Sequence, residues 1–333
     1  MKEEHIIVHI VKKGGTNMIR WGILGMGKIA TRFMQSLNKS QEGYLYAGAS
    51  LTAVKREQFS LNHPHILIYP TYEDLLEDPN IDAVYIATRH NDHYQWAKAA
   101  LLKKKAVLCE KPATLTYTQT EDLCQLAKSN QTFFMEAMKT RFIPLVADMK
   151  KVVASGEIGE VQRIETSFCS DVDYQEGHYL FDKEQGGVLY DVGTYNIATT
   201  LDYITSPLQK VSTQVIYKNG VDAYDVVELV FESGQTAKLE MAIDRSKEKN
   251  MIIYGSQGTM TAVPFYRPEQ AIITINNQQR VIEKSYIYDD FFTEIEEVHR
   301  CLKEKIIESP RMSLQDSLDC MYVMEKIRES FYD

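Results

Sequence analysis

Short apolar runs alternate with amphipathic stretches over the first 140 residues of the chain. The runs MIRWGILG, LYAGAS, IDAVYIAT and KAVLCEKP are apolar enough to form buried strands. The stretches KIATRFMQSLNK, AVKREQFSLN and HYQWAKAALLKK lie between them and carry apolar residues at helical spacing. Strands that alternate with helices of this length predict βαβ units and a parallel sheet.

The pattern changes after about Arg141. A predicted helix, IPLVADMKKVVASG, leads to VQRIETSFCS, and a second helix is predicted near GGVLYDVGTYNIATTLDYI. The strand-like runs that follow are VSTQVIYK, DVVELVFES, TAKLEMAID, NMIIYGSQGTMTAV and AIITINN. Their connections are too short for parallel crossovers, so we expect a largely antiparallel sheet. The last 45 residues are helical again, with Ser313 and Asp316 placed to cap the final helix.

Composition and charge narrow the class of protein. The 333 residues carry 37 Lys and Arg against 46 Asp and Glu, a net charge of -9, without a basic run that could follow a phosphate backbone. We therefore do not expect this protein to bind nucleic acid. The cysteines lie far apart without a CxxC pair, which predicts neither a disulfide framework nor a zinc site and favours a reducing cytoplasm. They are Cys109, Cys124, Cys169, Cys301 and Cys320.

A glycine-rich turn follows the first predicted strand. It reads G-x-G-x-x-A from Gly25 to Ala30 and opens a helix. Gly25 allows a tight turn, Gly27 lets a pyrophosphate approach the backbone, and Ala30 lets helix and strand pack closely. We therefore predict a dinucleotide-binding loop, with a tight turn that binds nothing as the alternative. The predicted loop residues are Gly25, Met26, Gly27, Lys28, Ile29 and Ala30.

The residues after the second strand bear on the choice of cofactor. An acidic residue at this place accepts hydrogen bonds from the ribose of NAD. Here the strand ends on Ser50, which we expect to contact the cofactor; Lys55 and Arg56 follow, and no carboxylate precedes Glu57. This favours NADP over NAD, although Lys55 and Arg56 also fit an ordinary solvated helix face.

Two longer motifs resemble a known family. The segment IATRHNDHYQWAKAALLKKKAVLCEKP is similar to the T-P-x-x-x-H, helix and E-K-P elements of the glucose-fructose oxidoreductase and inositol dehydrogenase family (Gfo/Idh/MocA). The segment RFIPLVADMKKVVASGEIGEV resembles the family's R-F-x-P and G-x-I-G-x-V elements. The resemblance runs from Met18 nearly to the C-terminus, and it departs at Arg89, where the family often has Pro.

This resemblance implies an α/β fold with two domains. An N-terminal Rossmann dinucleotide-binding domain is expected over residues 18–140. A C-terminal α+β domain with a large, mostly antiparallel sheet is expected over residues 141–333, for substrate binding and for assembly into a homodimer or a larger homo-oligomer. Residues 1–17 are expected to be an extension outside the fold, and their short apolar run is neither a signal peptide nor a membrane span.

The segment Glu110-Lys111-Pro112 ends a predicted buried strand. At the carboxyl edge of a parallel sheet, the last residues of a strand enter the crevice where ligands bind. Glu110 is expected to pair with Lys111 and orient it, and a solvated ion pair is the alternative. The resemblance implies that Lys111 contacts both cofactor and substrate. It also places Thr88, His90 and Glu110 among the cofactor-binding residues.

A further candidate set lies in QGGVLYDVGTYN. Asp191 and Tyr195 are four residues apart, so on a helix they share one face, and Gly186 and Gly187 would let a ligand approach the start of that helix. Alternatively, Tyr195 packs in the interior and Asp191 only complements the helix dipole. The D-x-G-x-Y pattern resembles the family branch with dimeric dihydrodiol dehydrogenase and NADP-dependent D-xylose dehydrogenase.

The spacing of His90 and His93 allows a check for a metal site, because H-x-x-H can bind zinc. A third ligand is not near in sequence, and the resemblance implies no metal. We therefore expect His90 to contact the cofactor loop and His93 to pack at a helix start.

Together with these residues, the resemblance implies an NAD(P)-dependent oxidoreductase acting on a carbonyl or alcohol of a sugar, polyol or diol. Tyr195 would exchange a proton with the substrate oxygen, Lys111 would lower the pKa of Tyr195, and Asp191 would orient Lys111 or a substrate hydroxyl. The alternatives are a regulator that binds the dinucleotide without turnover and a relative that cleaves glycosides by transient oxidation. His178 or Tyr179 stands where resembling dehydrogenases often have arginine, so the substrate stays open.

Overall fold

A six-stranded parallel sheet organises the N-terminal half of the protein. The computed structural model describes residues 18–332, so the expected extension over residues 1–17 lies outside the described residues. The strands are β1 Ile19–Leu24, β2 Gly43–Ala49, β3 Leu67–Tyr69, β4 Ala83–Ile86, β5 Ala106–Glu110 and β6 Phe134–Ala137, in the order β3-β2-β1-β4-β5-β6. The chain changes direction across the sheet between β1 and β4, which opens a ligand crevice at their carboxyl ends.

Helices cover both faces of this sheet and bury its apolar strands. They are α1 Lys28–Leu37, α2 Ala53–Asn62, α3 Tyr72–Glu77, α4 His90–Leu102 and α5 Tyr117–Asn130. Phe33 of α1 stacks on Tyr85 of β4 with ring centroids 3.8 Å apart. The indole N–H of the fully buried Trp21 donates to Nε2 of His299, 2.9 Å away, which ties this sheet to the C-terminal part of the chain.

An eight-stranded sheet organises the second half, in the order β14-β13-β12-β11-β7-β10-β9-β8. Its strands are β7 Val161–Cys169, β8 Leu208–Lys218, β9 Val221–Phe231, β10 Thr236–Ala242, β11 Met251–Gly255, β12 Gly258–Ala262, β13 Gln270–Ile275 and β14 Gln278–Glu283. Every neighbouring pair is antiparallel except β7 with β10. The prediction of a largely antiparallel sheet is confirmed, although the run NMIIYGSQGTMTAV forms two strands instead of one.

Three helices of the second half pack on this sheet, and a fourth, Phe292–Glu304, packs on α1 of the first half. They are α6 Pro144–Ala154, α7 Thr194–Leu201, α8 Phe292–Glu304 and α9 Leu314–Glu329, and a π-helical turn, Leu189–Gly193, leads directly into α7. The predicted cap of the last helix is confirmed, because Ser313 and Asp316 form a capping box at the start of α9. Along β9, fully buried residues alternate with half-buried ones, as expected for a sheet with one covered face. Among residues 18–332, no helix combines the length and the apolar character needed to cross a membrane.

Candidate active site

The glycine-rich turn connects β1 to α1 and fits the pyrophosphate of a dinucleotide. Gly25 has φ +94°, and a side chain there would collide with the carbonyl oxygen of Ala87. Gly27 is the N-cap of α1 and gives the helix no side-chain cap, and the first turn holds no acidic residue. A Cβ on Gly27 would meet no atom of residues 18–332 within 4 Å, so these residues leave the space before the helix N-terminus open. Such an N-terminus, with unpaired N–H groups and a positive dipole end, suits a phosphate.

A guanidinium lies at the end of β2. Arg56 reaches back from α2, and its Nη1 donates to the backbone oxygen of the buried Ser50 at 2.6 Å. Lys55, by contrast, is exposed on the same helix. Arg56, and not Lys55, is therefore positioned at the strand end where the ribose of a dinucleotide lies.

The two histidines of the HNDH segment are neutral and point at backbone carbonyls. Nδ1 of His90 donates to the backbone oxygen of Gln185 at 3.0 Å, and Nδ1 of His93 lies 2.8 Å from the oxygen of Pro112. Burial lowers the pKa of His90 to about 3 and that of His93 to about 4. His90 thus contacts the C-terminal half of the chain. Within residues 18–332, no group of three or more His, Cys, Asp or Glu side chains could hold a metal ion.

The ammonium of Lys111 joins the two halves of the site. Nζ donates to the backbone oxygen of Asp191 at 2.6 Å and lies 3.3 Å from its carboxylate oxygen Oδ1. The same Nζ stands over the ring of Tyr195, 4.9 Å from the centroid. Burial would raise the pKa of Asp191, but the charge of Lys111, together with the other polar groups around the carboxylate, holds this pKa below its usual value. One cation therefore contacts both residues of the D-x-G-x-Y pattern.

Glu110 does not orient the ammonium of Lys111, and that expectation was wrong. The Glu110 carboxylate accepts the hydroxyl of Tyr85 and, at 3.3 Å, the backbone N–H of Lys111. Adjacent residues at the end of a strand point in different directions, so the two side chains separate. The Lys111 ammonium instead pairs with Asp191 from the other half of the chain.

The hydroxyl of Tyr195 is protonated in this environment, in contrast to the expected lowering of its pKa. Burial, and then the negative charges of Glu110 and Asp191, raise the pKa of Tyr195 well above its usual value. Lys111 does not reverse this shift, since its ammonium lies over the ring face. On the other side, the Tyr195 ring packs against Phe168, with centroids 5.8 Å apart.

Tyr179 is a site residue whose role the sequence left open. Its hydroxyl donates to Oδ1 of Asp191 at 3.2 Å, the same oxygen that faces Lys111. Its ring stands edge-on to His90, with centroids 5.1 Å apart. Burial, followed by the charge of Asp191, raises the pKa of Tyr179, so the phenol remains a donor. The only signal in the sequence was its place before the double glycine.

The double glycine serves the protein's own packing, so the expected ligand approach at this point was wrong. A side chain on Gly186 would collide with the backbone oxygens of Leu180 and Asp182. Gly187 has φ +92°, and a side chain there would occupy the space of the Asp222 carboxylate. Both glycines are needed because backbone and carboxylate of the same chain fill the space beside them.

Comparison with known proteins agrees with the fold and the motifs. Residues 19–138 match the model of the Gfo/Idh/MocA oxidoreductase family with an NAD-binding Rossmann fold, and residues 146–261 match the Gfo/Idh/MocA C-terminal domain. KijD10, a 3-ketoreductase from Actinomadura kijaniata solved with NADP and TDP-benzene, superposes with a TM-score of 0.87 over 94% of this chain and 98% of its own, at 24% identity.

Three curated relatives align over nearly the whole chain. D-xylose 1-dehydrogenase (NADP(+)) of Hypocrea jecorina is 29% identical, over 94% of this chain and 92% of its own length. Trans-1,2-dihydrobenzene-1,2-diol dehydrogenase of Danio rerio is 28% identical, over 93% and 96%. The scyllo-inositol 2-dehydrogenase (NADP(+)) IolU of Bacillus subtilis is 30% identical, over 94% and 97%. The resemblance inferred from the motifs is confirmed, and the chain belongs to the Gfo/Idh/MocA family of oxidoreductases.

Proposed function

We propose that this protein is an NADP-dependent oxidoreductase that interconverts a carbonyl and an alcohol on a sugar, polyol or diol. The observation that carries the proposal is the contact of one ammonium, Lys111 Nζ, with both Asp191 and the ring of Tyr195. These groups handle protons and orient hydroxyls, and a protein that only senses a dinucleotide has no use for them. The relatives named as sugar, diol and inositol dehydrogenases support the same substrate class.

NADP is the proposed cofactor. Its pyrophosphate would lie on the N-terminus of α1, between Gly25 and Ala30, and Arg56 would face the 2′-phosphate of its ribose. Ser50 stands at the end of β2, where a protein that binds NAD carries an acidic residue. Thr88, His90 and Glu110 are proposed to complete the cofactor site. Bound nicotinamide would supply or accept the hydride.

The residues around Lys111 would manage the proton and the orientation of the substrate. With its pKa raised, Tyr195 is a phenol at neutral pH and can donate a proton to a carbonyl oxygen, as carbonyl reduction requires. Asp191 fixes the Lys111 ammonium through its backbone and carboxylate oxygens. The hydroxyl of Tyr179 donates to the same carboxylate, so Lys111 and Asp191 are already positioned before a substrate binds.

The substrate class is tested by a screen of sugars, polyols, diols and their keto forms against NAD and NADP, followed at the absorbance of reduced nicotinamide. We expect turnover with members of this class and a preference for NADP over NAD. Binding of NADP without turnover on any of these compounds would favour the dinucleotide-binding regulator. Release of a free sugar from a glycoside would favour the glycoside-cleaving alternative.

Gly27→Val should remove cofactor binding and leave the fold intact. The new Cβ would meet no atom of residues 18–332 within 4 Å and the backbone there is extended, so we expect only the approach of the pyrophosphate to be blocked. Losing two charge-assisted hydrogen bonds of about 1.5 kcal/mol each predicts affinity for NADP at least about 10²-fold weaker. Calorimetric titration measures this, with Gln35→Val on the exposed side of α1 as control. Unchanged affinity in a folded Gly27→Val protein would contradict the proposed pyrophosphate site.

Tyr195→Phe should lower turnover by about 10²-fold or more with little change in NADP affinity, because the ring remains and only the proton-transferring hydroxyl is lost. Lys111→Met should lower turnover and also weaken binding of substrate or cofactor. The two losses should not add in the double variant, since both groups serve one proton. Steady-state and single-turnover kinetics measure the effects, with the exposed Tyr288→Phe as control. If Tyr195→Phe retained most of the turnover, proton transfer would have to be assigned to Lys111 instead.

We also propose a homodimer formed through the uncovered face of the eight-stranded sheet. Among residues 18–332 the helices pack on one face, and the other presents half-buried apolar side chains such as Val226, Val230, Ile252 and Ile272, with charged residues such as Glu228 between them. A second copy that packs on this face would bury its apolar side chains and stabilise the assembly. Cytoplasmic location is part of the same proposal, since the five cysteines are free and buried, as in a reducing compartment.

Light scattering at micromolar concentration should give twice the monomer mass of 38.2 kDa, or a multiple of it. Val226→Lys places a charge in the middle of the sheet face and should shift the protein to monomer. Val281→Lys, on the edge strand and already 47% exposed, should leave the assembly unchanged. A monomer mass for the unaltered protein would contradict the proposed dimer.

A further inference from the structure

Two aspartates of β9 lie against the segment that carries Asp191 and Tyr195. Asp222 Oδ2 accepts the backbone N–H of Leu189, at the start of the π-helical turn, at 2.8 Å. Asp225 is fully buried three residues later. We propose that Asp222 is a positioning residue for Asp191 and Tyr195, and that a protonated Asp225 holds Asp222 in place. This inference rests on the proposed function, in which Asp191 and Tyr195 act on the substrate.

An irregularity in the sheet brings the two carboxyl groups together. The register of β8 and β9 shifts between Ile216, which faces Tyr224, and Tyr217, which faces Asp222. One extra residue in β9 re-aims the side chains before it, as β-bulges do. As a result the carboxyl groups of Asp222 and Asp225 lie within hydrogen-bond reach of each other.

The pair fits one shared proton. Within residues 18–332, no donor reaches either carboxylate oxygen of Asp225, so an ionised Asp225 would be a buried charge without a partner. As a carboxylic acid, Asp225 donates its own hydrogen to Asp222 instead. Burial, and then the charge of Asp222, raise the pKa of Asp225 to about 9. Burial raises the pKa of Asp222 as well, but the N–H of Leu189 and the charge of Arg328 favour its ionised form, so it is the acceptor.

Among residues 18–332, the charged and titratable groups beside this pair include Arg328 and Tyr190. Arg328 of α9 lies near Asp222, and its guanidinium donates to the hydroxyl of Tyr190. Tyr190 in turn donates to the backbone oxygen of Leu115 at 3.0 Å. These contacts surround the start of the π-helical turn without supplying a donor to Asp225.

Asp222 does for this helix what an N-cap side chain usually does. The residue at the N-cap position is Val188, whose side chain cannot accept a hydrogen bond, so the first N–H groups have no side-chain cap from their own segment. Asp222 of β9 supplies the missing acceptor, and its carboxylate occupies the space that Gly187 leaves open. Because Leu189 lies two residues before Asp191, this bond fixes the turn whose backbone oxygen meets Lys111 at 2.6 Å.

Asp222→Ala should lower kcat by about 10-fold to 10²-fold without weakening NADP binding, because small misplacements of reacting groups cost this much and the nucleotide loop is elsewhere. Asp225→Asn should keep the neutral-pH kcat, since its amide N–H replaces the shared proton. Glu232→Gln, exposed directly after the same strand, is the control and should behave as the unaltered protein. Kinetics and calorimetry on the folded full chain measure both quantities.

The pH profile separates positioning from a purely structural role. The folded pKa of Asp225, about 9, exceeds the unfolded value of about 3.9, so the stability from its proton is complete below about pH 4 and lost as pH rises through about 9. We expect kcat of the unaltered protein to fall over the upper part of this range, and Asp225→Asn to lack that loss. An alkaline decline that is identical in Asp225→Asn, or an Asp222→Ala variant with unchanged kcat, would overturn the proposal.

Hydrogen exchange keeps this test independent of the proposed activity. Protection of the Leu189 amide should drop in Asp222→Ala and remain in Asp225→Asn at neutral pH. If the unaltered protein turned over no sugar, polyol or diol while Leu189 exchange followed this pattern, the proposed function would fail and the contact would stand. Unchanged protection in a folded Asp222→Ala protein would overturn the role of Asp222 whatever the activity.

Discussion

The contact between Lys111 and Asp191 is the constraint on which the candidate site depends. Lys111 comes from the carboxyl end of β5 in the first sheet, and Asp191 comes from the π-helical turn that packs on the second sheet. The ammonium bonds a backbone oxygen as well as a carboxylate, so it fixes the course of the chain and not only a side chain. The crevice of the parallel sheet thereby gains a second wall, and Tyr195 lies one turn further along it.

Burial sets the protonation states around this contact. Asp191 remains ionised because a cation faces it, while Tyr195 and Tyr179 remain phenols because burial and nearby carboxylates oppose their ionisation. The site therefore contains one matched ion pair and two proton donors. This combination suits a substrate that is itself uncharged and rich in hydroxyl groups, for which hydrogen-bond donors and acceptors outweigh net charge.

The second sheet contributes through backbone geometry. The π-helical turn has Val188 at its N-cap and so lacks a side-chain cap of its own, and Asp222 reaches it only because Gly187 has no side chain and β9 carries an irregularity. Three features thus act together on the backbone N–H of Leu189: the positive φ of Gly187, the shifted register of β9 and the proposed proton between Asp222 and Asp225. Features of this kind are costly to the fold by themselves, and sites that need a fixed geometry retain them.

The sequence by itself determined the local features: the βαβ order, the antiparallel second sheet, the cap of α9 and the loop from Gly25 to Ala30. Periodicity and turn chemistry act between near neighbours, so they can be predicted from the sequence. Family motifs also selected Lys111, Asp191 and Tyr195, but not their contacts. Only the tertiary structure decided that Lys111 turns from Glu110 to Asp191, that Tyr195 stays protonated, and that the double glycine makes room for Asp222. Those outcomes depend on groups about 30 to 80 residues apart, whose burial and distance no local pattern contains.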